Sequence, residues 1–211
     1  MKNYPLVKNN ITKVDLNKVI QYLKQNDPIL TQSKNVESFE KNWSNWLGIK
    51  YSVFVNSGSS ANIMSLAILK ELHPRGGEVI LPPLTWSSDI NAVIYNGFKP
   101  VFVDIDRDTM GMSPEALAAF LQDCVEMRHG QAYNKHTDAR ISACVPMHSF
   151  GHPVRIDKIA DICDAFNITL VEDCAESLGS YVGRTHTGRA GKFAVFSFNG
   201  NKIITTGGGG M

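Results

Sequence analysis

The chain has 211 residues, a formal net charge of +1, 43% hydrophobic and 19% charged side chains, enough for one α/β domain with a sizeable core. Its basic residues are scattered, with no stripe of interleaved aromatics, which argues against nucleic acid as a partner; its longest apolar runs are strand-length, which argues against a transmembrane helix or a membrane partner. The opening MKNYPLVKNN has no apolar signal core, and Cys124, Cys144, Cys163 and Cys174 lack CxxC spacing, so the expected setting is cytoplasmic, with reduced thiols and no metal site.

The first segment with a clear period is NVESFEKNWSNWLG. Val36, Phe39, Trp43, Trp46 and Leu47 recur at helical spacing, and Gly48 ends the helix. YSVFV then reads as a short buried strand, and SGSSANIMSLAILKEL as a helix apolar around most of its girth. EVILP is a strand, PLTWSSDINAVIYNG turns into a helix closed by Gly97, and VFVDI is a further strand. Ser113 caps a helix with Pro114 at its first position that runs through EALAAFL. Residues 125–140 are polar and irregular, a surface loop or short hairpin. ISACVPM, ITLVE and FAVFSF read as strands, with IDKIADICDAF as a helix between the first two.

Strands alternate with helices, and several strands are apolar throughout. The fold class expected is therefore α/β: a mixed, mostly parallel sheet with helices on both faces. Residues 1–30 form an N-terminal segment, and residues 31–211 one large domain.

Ligands of such sheets bind beyond the carboxyl ends of the strands. Asn56-Ser57-Gly58-Ser59-Ser60 follows YSVFV; such a turn either caps its helix or cradles a phosphate on backbone N–H groups. Thr85-Trp86 follows EVILP, and the tryptophan is either a core or interface aromatic or a platform for a flat ring. Glu172 and Asp173 end the strand ITLVE; a carboxylate there serves as a cap or ion-pair partner, or as counter-ion to a bound cation. His148 and His152 are four apart, but HSFGHP cannot be a regular helix, so helical metal-ligand spacing is unavailable. Lys202 lies in SFNGNKIITTGGGG, where small residues leave room for a ligand beside the amine. Lysine, strand-end carboxylate, phosphate turn and aromatic platform are together what pyridoxal 5′-phosphate needs.

The ordered series LTQ…VESFE, SGSSAN, EVILPPLTW, GFKPVFVDID, VPMHSFGHP, VEDCAES and SFNGNKIITTGGGG resembles the DegT/DnrJ/EryC1/StrS sugar aminotransferases, pyridoxal-phosphate enzymes of fold type I. The stretch around FGHP and GRTHTGRAGKFAVFSFNGNK is similar to the LegC-like and bacillosamine-type subgroup, which implies amination at C4 of a nucleotide-linked 4-keto-6-deoxy-N-acetylhexosamine, with glutamate as donor. The resemblance puts Lys202 at the Schiff-base position, Asp173 opposite the pyridine nitrogen, Trp86 on the ring face, and Ser59, Ser60 and Ser197 at the phosphate. Glu176 falls near the cofactor's 3-oxygen, where many members have Gln or His. Thr31, His148 and Asn199 are the candidate substrate contacts. Members run to nearly twice this length, which implies a further C-terminal domain and a homodimer in the whole protein. Two rivals are the related sugar dehydratases, which typically carry His in place of the lysine, and a non-catalytic cofactor-binding or regulatory fragment.

Overall fold

The computed structural model describes residues 9–211; residues 1–8, part of the opening read above for a signal core, lie outside the described residues. The rest of the N-terminal segment holds a helix that the sequence reading did not assign, α1 (Lys13–Leu23). Thr12 caps it, and Asp15 reaches back to the Thr12 backbone in a reciprocal capping box. No α1 side chain is buried. Helix α2 (Lys34–Leu47) starts at the Ser33 cap and stops at Gly48, whose left-handed φ of 74° a β-carbon would disfavour.

Helix α3 (Gly58–Leu72) leads to β1 (Glu78–Leu81), α4 (Ser87–Tyr95) and β2 (Lys99–Phe102). Ser113 caps α5 (Pro114–Cys124), as its Ser-Pro start predicts. The polar stretch 125–140 contains a hairpin, β3 (Val125–Arg128) and β4 (Gln131–Asn134). Its two turn residues, His129 and Gly130, both have positive φ, the primed turn whose twist matches its strands. Next come β5 (Ile141–Cys144), α6 (Ile156–Ala165) and β6 (Thr169–Asp173). A small hairpin, β7 (Tyr181–Val182) with β8 (Thr185–His186), precedes β9 (Phe193–Val195).

Five strands form one sheet in the order β2-β1-β5-β6-β9, every neighbouring pair parallel. Parallel strands need crossovers, and the crossovers place helices on both faces. Leu66 and Leu69 of α3 and Ala92 and Val93 of α4 pack with Val79, Leu81 and Val171 on one face. Leu117 and Leu121 of α5 and Ile159 and Cys163 of α6 pack with Ile80 and Leu170 on the other. Strand side chains alternate between those two cores, so the central strands are apolar on both faces over Val79–Leu81 and Leu170–Val171. The register slips where β1 meets β5, with Ser142 passed over; this irregularity puts Ile141 and Cys144 into the same core. A third cluster joins Trp43 and Leu47 of α2 to Phe196, Phe198 and Met211.

Two strand assignments need correction. YSVFV is not a strand: it makes only an isolated bridge, from Val55 to Gly210, outside the five-stranded sheet. Its apolar pattern suits a strand, but its partner is a glycine run that offers isolated bridges rather than a ladder. VFVDI is displaced, since β2 begins at Lys99 and ends at Phe102.

Glu172 on β6 is fully buried. Its carboxylate accepts from the backbone N–H of Gly188 (2.8 Å), Ala190 (2.7 Å) and Gly191 (2.7 Å), and lies 3.1 Å from His148 Nε2. The N–H of Val154 donates to His148 Nδ1 at 3.2 Å, which fixes the imidazole proton on Nε2, pointing at Glu172. Burial pushes the Glu172 acid up, but the His148 contact and the N–H donors of Gly188 and Gly191 outweigh it, and the group sits below its ordinary range. Cys174, close to both side chains, is the third possible metal donor. Burial and then the charges of Glu172 and Asp173 drive its thiol well up, so it is a protonated packing group. The network is a structural knot: the acceptors of Glu172 and both nitrogens of His148 are already used.

Because the folded Glu172 acid is depressed, its contribution is complete above its unfolded value and is lost as pH falls through the lower folded value. Glu172→Gln removes that charge and turns an amide donor toward backbone donors. It should destabilise the protein by about 3–5 kcal/mol at pH 7, with the gap to wild type closing below about pH 4, as urea melts across pH would show.

Candidate active site

A cleft of about 760 Å³ opens at the carboxyl ends of the strands. Its walls come from the start of α3, the turns after β1 and β5, the end of β6, and the loop after β9. This is where a parallel sheet leaves a crevice.

The α3 wall is set by Ser57. It caps the helix, with its Oγ accepting from the N–H of Ser60 at 3.0 Å, so the first N–H groups and the positive end of the helix dipole lie at the cleft. Ser59 is exposed and lines the cleft; Ser60 does not, and its hydroxyl is bonded to Ser57 Oγ at 3.0 Å. Ser197, beyond β9, also lines the cleft. The closing glycines hold these serines together: Gly209 bridges to Ser57 and Gly210 to Ser197. A β-carbon on Gly210 would sit 2.5 Å from the Ser57 carbonyl group and 2.7 Å from the Gly58 nitrogen, so only glycine allows the approach.

Trp86 stands just before α4, 67% exposed and lining the cleft. It is not a core aromatic, and its open face is available to a flat ring. Asp173, 2% exposed, ends β6 at the cleft wall. Its Oδ1 accepts from the Ala175 N–H at 2.8 Å and its Oδ2 from Asn62 Nδ2 at 3.3 Å. Among the described residues it makes no salt bridge. A buried carboxylate without a cation, facing a cleft, fits a ligand that brings positive charge.

Lys202 is largely buried, and its Nζ lies 3.3 Å from Glu176 Oε1. The other Glu176 oxygen accepts from the Phe150 N–H at 2.9 Å. Phe150 has a positive φ of 55° and is 81% exposed at the cleft rim. The turn after β5 thus holds the carboxylate that holds the lysine. Asn199 lines the cleft, its amide donating to Asn201 Oδ1 at 3.1 Å.

Two substrate candidates are not brought to the cleft. His148 is fully buried and committed to Glu172 and Val154, because β6 sends Glu172 to the face away from Asp173. Thr31 is exposed in the segment before α2 and does not line the cleft. The sequence reading missed Asn62, which lines the cleft beside Asp173, and Asp89, which does not: Asn62 Nδ2 also donates to Asp89 Oδ1 at 2.7 Å. The available signal was a polar residue on the buried side of an otherwise apolar helix, in SGSSAN and again in TWSSD.

Residues 9–211 match the model of the DegT/DnrJ/EryC1/StrS aminotransferase family. The chain belongs to this family. EpsN of Bacillus subtilis (strain 168) is 35% identical over 176 residues, 83% of this chain and 42% of its own. GDP-perosamine synthase of Escherichia coli O157:H7 is 32% identical over 183 residues, 87% of this chain and 45% of its own. The fold is similar to that of E. coli GDP-4-keto-6-deoxy-D-mannose-3-dehydratase, solved with bound hydrated PLP, with a TM-score of 0.84 and 28% identity; the match covers 100% of this chain and 50% of that one. The chain therefore spans about half the length of the relatives it matches. Among the described residues no helix is long and apolar enough to cross a membrane.

Gly210→Ala should lower stability by about 1–3 kcal/mol, since backbone on both sides cannot yield. Gly200→Ala, where an added β-carbon meets nothing within 4 Å, should shift the melt by less than about 0.5 kcal/mol. Thermal melts of the two variants compare the sites directly.

Proposed function

We propose that this cleft binds pyridoxal 5′-phosphate, and that the protein transfers an amino group from an amino acid, glutamate, to the C4 ketone of a nucleotide-linked 4-keto-6-deoxy sugar bearing an N-acetylamino group. The observation that carries the reading is one cleft lined by both a primary amine, Lys202, and a buried carboxylate without a cation, Asp173. The other groups fit the same occupant. The α3 N-terminus with Ser59 and Ser197 suits a phosphate, and Trp86 offers a face to a flat ring. Ser60, turned onto Ser57, would act through the cap.

When bound, pyridoxal phosphate supplies the electron sink that stabilises carbanion charge on the donor carbon. Asp173 holds a proton at the ring nitrogen by its charge. Glu176 Oε1, 3.3 Å from Lys202 Nζ, would orient the amine toward the cleft. The amine then carries a proton off the donor Cα and, in the second half of the reaction, delivers one to the former ketone carbon. Asn199, exposed and lining the cleft, would contact the sugar in this reading. The GDP-sugar names of the relatives support a nucleotide sugar, while the N-acetyl group rests on the subgroup resemblance. Lys202 disfavours the dehydratase reading. In the whole protein we expect a homodimer in the cytoplasm, and light scattering measures its size.

Borohydride reduction of the cofactor-loaded protein, followed by peptide mass mapping, should place the cofactor on Lys202; labelling at Lys192 instead overturns the assignment. Lys202→Ala should lower turnover by about 10²–10⁴-fold or more while cofactor still docks. Asp173→Asn should lose about 10²-fold or more in turnover with a much smaller change in cofactor affinity, because a neutral amide cannot hold the ring proton by charge. A panel of nucleotide 4-keto sugars with glutamate identifies the acceptor. Amination of a small free keto acid alone would refute the sugar reading, and cofactor binding without turnover by the whole protein would favour the binding-only alternative.

A further inference from the structure

Behind Asp173 lies a second carboxylate to which the proposed reaction gives no task. Asp89, in the first turn of α4, is 1% exposed and does not line the cleft. Its Oδ1 accepts from Asn62 Nδ2 and its Oδ2 from the Thr85 hydroxyl, while the same Asn62 nitrogen donates to Asp173. The groups facing Asp89 are thus Asn62 from α3, Thr85 from the turn after β1, and Asp173 from β6. None is a cation, and among the described residues neither carboxylate makes a salt bridge. Two buried carboxylates that share one neutral donor repel strongly if both ionise. Burial, and then the charge of Asp173 and a hydrogen bond to it, drive the Asp89 acid well above the ordinary carboxylate range. Of the two, Asp89 is sealed from the cleft, whereas Asp173 reaches it and accepts a backbone N–H from Ala175. The proton belongs on the sealed member.

We propose that Asp89 is a neutral carboxylic acid that, with Asn62, holds Asp173 as the single anion presented to the cleft. It is a positioning residue that acts through Asp173. The protonation of the pair is a property of the free protein; its consequence for the ligand rests on the pyridoxal-phosphate reading of the cleft.

The test has two arms on the whole protein. The first uses no cofactor: infrared spectra at pH 7 should contain the carbonyl band of a protonated carboxylic acid, although ordinary carboxylates are ionised there, and Asp89→Asn should remove it. A spectrum without the band, or a band that survives the substitution, overturns the proposal; two ionised carboxylates clasping a cation would give the first result. Should Asp89→Asn not fold, Asp173→Asn decides: removing the facing charge should lower the pH at which the band disappears, and an unchanged titration overturns the proposal. The second arm titrates pyridoxal phosphate. Asp89→Asn, which mimics the neutral acid, should bind within about two-fold of wild type, and Asp89→Leu, which leaves Asn62 and Thr85 unpaired, should bind about ten-fold or more weaker. Equal loss in both variants would mean that the anion is needed, and would overturn the proposal. If wild type binds no pyridoxal phosphate, the reading of the cleft fails, while the infrared arm still decides the state of the pair.

Discussion

Two carboxylates end β6 side by side, and a strand sends neighbouring side chains to opposite faces. That constraint organises the molecule. Glu172 must go toward one face of the sheet and Asp173 toward the other, and at this depth each needs compensation worth several kcal/mol. The protein treats them differently. Glu172 receives three backbone N–H groups and an imidazole, so its charge is spent inside the fold. Asp173 receives one backbone N–H and a long contact from Asn62, and is left facing the cleft. The same residue chemistry gives a structural knot on one side and an unfilled demand for positive charge on the other.

The knot also shapes the cleft. Its donors come from the loop ahead of β9 and, through His148, from the segment after β5. Fixing His148 fixes the start of the Ser149–Gly151 turn. That turn then aims the Phe150 N–H at Glu176, which in turn reaches Lys202. Packing, a buried charge and a strained residue at the rim are thus links in one chain of contacts from the core to the amine. A fold that satisfied Glu172 in another way would have no reason to hold Glu176 where it is.

The helices were legible because their signals are local: the Gly48 stop, the Ser113-Pro114 start and the 3.6-residue spacing of Trp43 and Leu47 need no tertiary information. The central strands were legible because burial on both faces leaves an apolar run, as in Val79–Leu81. YSVFV carries the same local signal, yet strand formation depends on a partner, and its partner supplies glycines joined by bridges alone. Helix α1 went unassigned although Thr12 and Asp15 form a capping pair, because none of its side chains enters a core that would sharpen its apolar stripe. At the site, residues that follow strands were found by their place in the chain, since topology alone carries them to the carboxyl edge. His148 also follows a strand, but which way it points depends on Glu172, 24 residues on. Asn62 and Asp89 contact each other across 27 residues and were invisible for the same reason.

The loop that bears Lys202 has the opposite requirement from the core. Its amine has one side-chain hydrogen-bond neighbour, Glu176, and the loop is tied at its ends. The ties are backbone bonds: the N–H of Thr206 donates to the Phe198 carbonyl, the N–H of Phe198 donates to the Gly209 carbonyl, and Met211 pairs with Phe196 in both directions. Between them, an added β-carbon on Gly200 or Gly207 would meet nothing within 4 Å, and Ile203 and Ile204 are exposed. At Gly210 the backbone approaches Ser57 too closely for any side chain, while at Gly200 no contact demands glycine at all. Gly210 closes the seam under the serines by letting two backbones meet; Gly200 has open space around it. Close approach at the floor of the site is thus a demand that only glycine meets at Gly210, and one that Gly200, in the same stretch around the lysine, does not share.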